Sequence, residues 1–209
     1  MYVICDADVC AAHGWRPDAF AAACFDGGAQ LLQLRMKTAS SRTFLDIATA
    51  VVDQGRRAAA TVIINDRADI AMFAGAAGVH VGQEDLSPEA IRAVVGEASV
   101  VGLSTHTIEQ IDAAIAAPIS YLAVGPVFGT ATKHTGYQAV GLALVREAAN
   151  RAARRKLPVV AIGGITLENA VSVIDAGADS VAVISDLLVA NDPAMRTRAF
   201  VERLASASR

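Results

Sequence analysis

TVIINDRADIAMFAGAAGVHVGQEDLSPEAIRAVVGEASVVGLS, residues 61–104, settles how the rest of the chain is read. It holds three short apolar runs, at 61–65, 78–82 and 99–104, rich in β-branched residues. None alternates polar with apolar, so each reads as a strand buried on both faces. Between them, 67–74 and 88–95 carry helical spacing, and Ser87 before Pro88 is a favourable helix start. The Gly-Ala turn in GAAGVHVG leads from a helix end into a strand. Strand, helix, strand, helix, strand is the order of a parallel sheet.

The same unit repeats outward in both directions. Further strands are expected at 2–5, 31–35, 121–125, 158–164 and 180–185, and further helices at 17–26, 41–57, 107–116, 139–155, 166–176 and 193–205. Thr166 is read as the start of the helix that includes Glu168. GGAQLLQL and GADSVAVI echo the Gly-Ala turn. Eight strands alternating with eight helices predict an α/β fold, a single (β/α)8 TIM barrel over residues 1–209. An open doubly wound sheet is the runner-up, but no Gly-rich dinucleotide fingerprint follows the first strand.

Composition agrees with a well-buried core: 54% of residues are hydrophobic and 19% charged. A net charge of −3 argues against a nucleic-acid binder. No run approaches the roughly 18 apolar residues of a membrane span, and the first residues lack the pattern of a signal peptide. Three cysteines, Cys5, Cys10 and Cys24, with no paired short spacing, fit a reducing compartment, and two of them sit in apolar runs as small hydrophobes, so a cytoplasmic protein is expected.

In such a barrel the chemistry lies at the C-terminal ends of the strands. Gln33, Arg35 and Lys37 are two apart and share one face, toward the barrel mouth, while Leu32, Leu34 and Met36 face the helices. Asn65 and Asp66 end the third strand, and Gly82, Gln83 and Asp85 follow the fourth. Two carboxylates beside two cations suit Mg²⁺, which takes one or two carboxylates together with phosphate oxygens. Ser104, Thr105 and His106 end the fifth strand. Gly163, Gly164, Ile184 and Ser185, after the last two strands, suit a phosphate held by backbone amides.

Each piece also has a plainer reading. A lone strand-end cation is more often a surface charge, and Asn65-Asp66 fits a turn with a helix cap. Asp85 could cap the helix that starts near Ser87. His80 is expected to be a satisfied core residue, His13 and His134 to face solvent, and His106 to be either a rim ligand or part of a helix's first turn. The irregular stretch GPVFGTATKHTG, 125–136, has no strand or helix period and carries Thr130, Thr132 and Lys133. Coincidence favours function: nearly every strand end carries polar groups, while the strand interiors are almost purely apolar.

The chain resembles the thiamine phosphate synthase family through QLRMK, INDRADIA, GVHVGQEDL, GLSTHT, YLAVGPVFGTATK, PVVAIGGI and VAVIS, in that family's order. The resemblance implies a TIM-barrel transferase that joins 4-amino-2-methyl-5-hydroxymethylpyrimidine diphosphate to thiazole phosphate, releasing pyrophosphate. It implies that Gln33, Arg35, Lys37, Asn65 and Lys133 hold the diphosphate and that Asp66 and Asp85 carry Mg²⁺. It places Ser104 near the pyrimidine, and Thr130, Thr132, Gly164, Ile184 and Ser185 around the thiazole phosphate. Arg35, Lys37, Ser104 and Lys133 are the catalytic candidates, and the 125–136 stretch is read as a lid. Met36 stands where the family usually has Glu; alternation turns it to the helices, so a packing change is expected. The chain starts at its first strand, which leaves open the cover of the barrel bottom and whether a homo-oligomer forms. The alternatives are a thiazole tautomerase, with His106 the local proton carrier, and a non-catalytic phosphate-ligand sensor.

Overall fold

The computed structural model describes residues 1–129 and 138–207. Eight parallel strands close into a barrel in sequence order. They are β1 (Tyr2–Asp6), β2 (Leu31–Arg35), β3 (Thr61–Asn65), β4 (Gly78–Val81), β5 (Val100–Thr105), β6 (Tyr121–Val124), β7 (Val159–Ile162) and β8 (Ser180–Val183). The ring shuts where Tyr2 and Val3 pair with Ala182 and Val183. Among the described residues the helices are α1 (Ala7–Ala12), α2 (Pro17–Asp26), α3 (Ser41–Arg57), α4 (Ala68–Ala74), α5 (Pro88–Val95), α6 (Ile108–Ala116), α7 (Gly141–Ala152), α8 (Ala170–Asp175) and α9 (Pro193–Ala207).

Period two sorts the strand residues into two cores. Tyr2, Ile4, Ile63, Tyr121, Ala123, Val160 and Ala182 fill the barrel interior. Leu32, Leu34 and Met36 point outward into the larger layer between sheet and helices, as alternation predicts for Met36. Phe20, Phe44 and Phe200 anchor that layer at 0–2% exposure. Truncating any of them to Ala is worth about 3–5 kcal/mol of lost burial and cavity. Gly102 makes the interior packing work: a Cβ there would lie 2.5 Å from His80 Nδ1 and collide with the Tyr121 ring. All three cysteines are free and buried, and burial pushes the Cys24 thiol up to about 12. The Gly-Ala echo is physical: Gly28, Gly75 and Gly177 have φ of 95°, 65° and 102°, the left-handed region that ends a helix cheaply only with glycine.

Three local expectations change. Six residues after β1 form an extra helix, α1, because Asp6 caps it by accepting from the Asp8 and Val9 amides. The helix expected from 166 begins at Ala170: Asn169 Oδ1 accepts from the Thr166 amide while its Nδ2 donates to Gly164 O, folding 166–169 into a turn. Asp85 does not cap α5; Ser87 does, accepting from the Ala90 amide at 3.3 Å. At the barrel bottom, Val201, Leu204 and Ala205 of α9 share a cavity of about 290 Å³ with Met1 and Ser180.

Candidate active site

The strand ends open into two adjoining cavities at the C-terminal mouth. The narrow one, about 70 Å³, takes its polar lining from β1–β5 and the turns that follow them, and gathers Gln33, Arg35, Lys37, Asn65, Asp66 and Asp85. The wide one, about 370 Å³, lies over β5–β8 and includes Gly163, Gly164, Thr166, Ser185 and Asp186. Ser104, Ile162, Ala182 and Ile184 line both and form the seam between them. The structure thus brings together all the expected site residues that it describes. Thr130, Thr132, Lys133 and His134, and with them most of the expected lid, lie outside the described residues.

On the narrow side, charges sit in linked pairs. Arg35 stands opposite Asp6 in the β1–β2 register and donates to its Oδ2. Lys37 Nζ pairs with Asp66 Oδ2. Asp66 has φ 60°, and its amide donates to His80 O at 2.8 Å, so the turn after β3 presents the carboxylate to the mouth. A non-glycine residue held there is a strained position of the sort that gathers at functional sites. Burial pushes the Asp66 carboxyl above its ordinary range, Lys37 pulls it back, and neighbouring Asp85 raises it again. Asp85 is oriented by the Gly82 amide, which donates to its Oδ2 at 2.8 Å. Among the described residues no three His, Cys, Asp or Glu side chains converge on one point. A carboxylate pair is nevertheless the donor set a hard cation accepts when phosphate oxygens and water complete its shell, so Asp66 and Asp85 fit Mg²⁺.

Below the rim runs a line of hydrogen bonds across the barrel. Gln33 Nε2 donates to Tyr2 Oη at 2.9 Å, Tyr2 meets Tyr121 Oη at 2.9 Å, and Tyr121 meets His80 Nδ1 at 2.8 Å. His80 Nε2 then reaches Ser104 Oγ at 2.8 Å. If Gln33 starts the line as donor, each phenol passes its hydrogen onward and Nε2–H donates to Ser104, whose own hydrogen is then left for a ligand. Gln33 is therefore at the floor of the narrow cavity rather than at its rim, with 4% exposure. His80 has both ring nitrogens paired, as a satisfied core residue should, yet it also walls the site.

The wide side is mostly apolar and held by backbone. Gly163 and Gly164 have φ of 101° and 63°, and a Cβ on Gly164 would lie 2.7 Å from Gly129 O and 2.8 Å from Phe128 Cβ. Asp186, 7% exposed, accepts from Arg196 Nε at 2.9 Å and Nη2 at 3.1 Å and from the Leu167 amide at 3.3 Å. That buried fork ties the loops after β7 and β8 to α9. His106 Nδ1 meets Gly125 O at 2.5 Å, just before Thr107 caps α6, so it belongs to the rim and not to the helix. His13 is exposed as expected but stands in the wide cavity's wall.

Sequence reading missed Asp6, Tyr2, Tyr121 and Asp186. Asp6 and Asp186 each follow the last expected residues of a strand, and that position was the available signal. The tyrosines gave none.

The thiamine monophosphate synthase family profile matches residues 1–187. The chain belongs to that family. A thiamine-phosphate synthase of Koribacter versatilis is 48% identical over 214 residues, covering 99% of this chain and 96% of that one. One from a Roseiflexus species is 42% identical over 181 residues, 87% of this chain and 75% of the other. Among solved structures, a thiamine phosphate pyrophosphorylase of Pyrococcus furiosus superposes with a TM-score of 0.89 at 29% identity, covering 99% of this chain and 95% of that one. That structure shares the barrel seen here.

Proposed function

We propose that the narrow cavity takes the pyrimidine diphosphate and the wide one the thiazole phosphate of a thiamine phosphate synthase reaction. Family membership and the relatives' shared name support that transferase activity over the tautomerase and sensor alternatives. The observation that carries the assignment is the division of one mouth into a charged side and a glycine side that meet at Ser104 and Ile184.

In this reading the C–O bond to the diphosphate breaks, leaving a cation at the carbon attached to the electron-rich aminopyrimidine. The diphosphate oxygens gain negative charge as it leaves. Arg35 and Lys37 meet that charge in place, which is how preorganised electrostatics lower a barrier, and Lys133 is the third cation assigned to the diphosphate. Ser104 orients the pyrimidine. The thiazole nitrogen then forms the C–N bond; it carries no hydrogen, so no strong general base is required. Gly164, Ile184 and Ser185, with Thr130 and Thr132, fix the thiazole phosphate, and holding both partners at the seam supplies the gain of proximity. Asp66 and Asp85 would hold Mg²⁺, which when bound contributes positive charge toward the diphosphate.

The test is an end-point assay with both substrates and Mg²⁺, following thiamine phosphate and pyrophosphate together. Equal formation of both, lost on chelation and in a folded Asp66→Ala variant, is expected. A folded protein that binds thiazole phosphate yet forms neither product overturns the reading.

A further inference from the structure

Asp6 is joined to the site from two sides. It closes β1, with 4% exposure, and its Oδ1 accepts from the Asp8 and Val9 amides, both at 3.1 Å. Its Oδ2 takes Arg35 Nη1. Both oxygens are thereby engaged, so this carboxylate turns its charge on the guanidinium and on the first turn of α1, not toward an incoming anion. The same helix is tied to the loop after β2, where Thr38 Oγ1 donates to Asp8 Oδ1 at 3.2 Å. Arg35 is only 17% exposed, lines the narrow cavity, and has a buried Nε with no acceptor among the described residues. A buried cationic donor left unpaired is expensive, and the part of the guanidinium that still lines the cavity is what a ligand oxygen can meet.

We propose that Asp6 is a positioning residue for Arg35: it holds one edge of the guanidinium so that the remaining N–H groups face the diphosphate. A long cationic side chain loses considerable rotamer freedom when fixed. Pairing Arg35 before substrate arrives means that binding does not have to supply that order. The geometry also gives α1 a purpose, since the helix sets the carboxylate that sets the arginine. This inference rests on the reading of Arg35 as a diphosphate ligand.

The variants are Asp6→Asn, Arg35→Ala and the two combined, each measured for both KM values, kcat and melting. Asn still caps a helix, so α1 should survive. For Asp6→Asn we expect the diphosphate KM to rise about 10-fold or more, in line with loss of a charge-assisted contact. The thiazole phosphate KM should stay within about two-fold, and on the Arg35→Ala background Asp6→Asn should add less than about two-fold, because interacting residues are non-additive. Parallel rises in both KM values, no change, or full additivity on Arg35→Ala overturns the role of Asp6. An unchanged diphosphate KM in Arg35→Ala itself removes the reading of Arg35, a separate failure. Should Asp6→Asn not fold, Asp6→Ser, which keeps a capping oxygen, carries the same comparison.

Discussion

The two sides of the barrel mouth present opposite kinds of polarity. Over β1–β4 it comes from full charges on side chains, four of them joined in two ion pairs, Arg35–Asp6 and Lys37–Asp66. Over β7 and β8 it comes from glycine backbone set in an apolar wall, with Asp186 neutralised by Arg196. The charged side carries the costs of its chemistry: a desolvated Asp66, a buried Arg35 Nε unpaired among the described residues, and a left-handed Asp66 backbone. The glycine side carries little beyond the left-handed turns that glycine tolerates. This difference fits a division in which full charges meet a group whose charge grows during reaction, and fixed backbone dipoles meet a phosphate whose charge does not change.

The largest expected effect therefore falls on the charged side. Lys37→Ala should lower kcat by about 100- to 1,000-fold, the usual loss for one group that stabilises transition-state charge. Its melting temperature should move little, because Lys37 is 45% exposed and such pairs contribute little to stability. Steady-state kinetics with thermal melting checks both. A variant that lost only thiazole phosphate affinity would reverse the division.

Next comes Gly164→Ala on the glycine side. The substitution strains a φ of 63° and presses a methyl against Gly129 O and Phe128. We expect the thiazole phosphate KM to rise about 10- to 100-fold, as loss of a hydrogen bond to a charged group of about 1.5–3 kcal/mol implies. The diphosphate KM should remain within about two-fold, and melting should fall by a few degrees, since a left-handed residue costs about 1–2 kcal/mol. Competition binding of each substrate separates the sides directly. Equal loss on both would mean that they do not act independently.

The two sides also differed in what the sequence could say about them. Gln33, Arg35 and Lys37 were readable because period two assigns them one face and their chemistry is in their side chains. The glycine side was readable only by position, as the ends of the last two strands in a barrel already inferred. What escaped depended on contacts between distant residues. Nothing local to Tyr121 tells that it meets Tyr2, 119 residues away, or that Gly102 must lack a side chain to admit its ring. Asp6 was hidden for a different reason: α1 has six residues, too short for periodicity to show, so nothing marked its cap. Asn169 likewise displaced the start of α8 by bonding across its own turn, a side-chain choice that the preceding Thr166 concealed.

The smallest effect is also the most direct comparison of mechanism. Exposed charges attract through solvent and are screened by salt, whereas hydrogen bonds from enclosed amides act at contact. Raising potassium chloride from about 0.05 to 0.5 M at constant free Mg²⁺ shortens the screening length from more than 10 Å to a few ångströms. With Lys37 partly exposed, the diphosphate KM should rise about three- to ten-fold over that range, and the thiazole phosphate KM less than about two-fold. The Lys37→Ala variant should lose part of the diphosphate response, because one of the screened charges is gone. If the two KM values instead climb together and Lys37→Ala climbs with them, the cations act as a general field over the whole mouth. The division between a charged side and a backbone side would then be one of structure but not of binding.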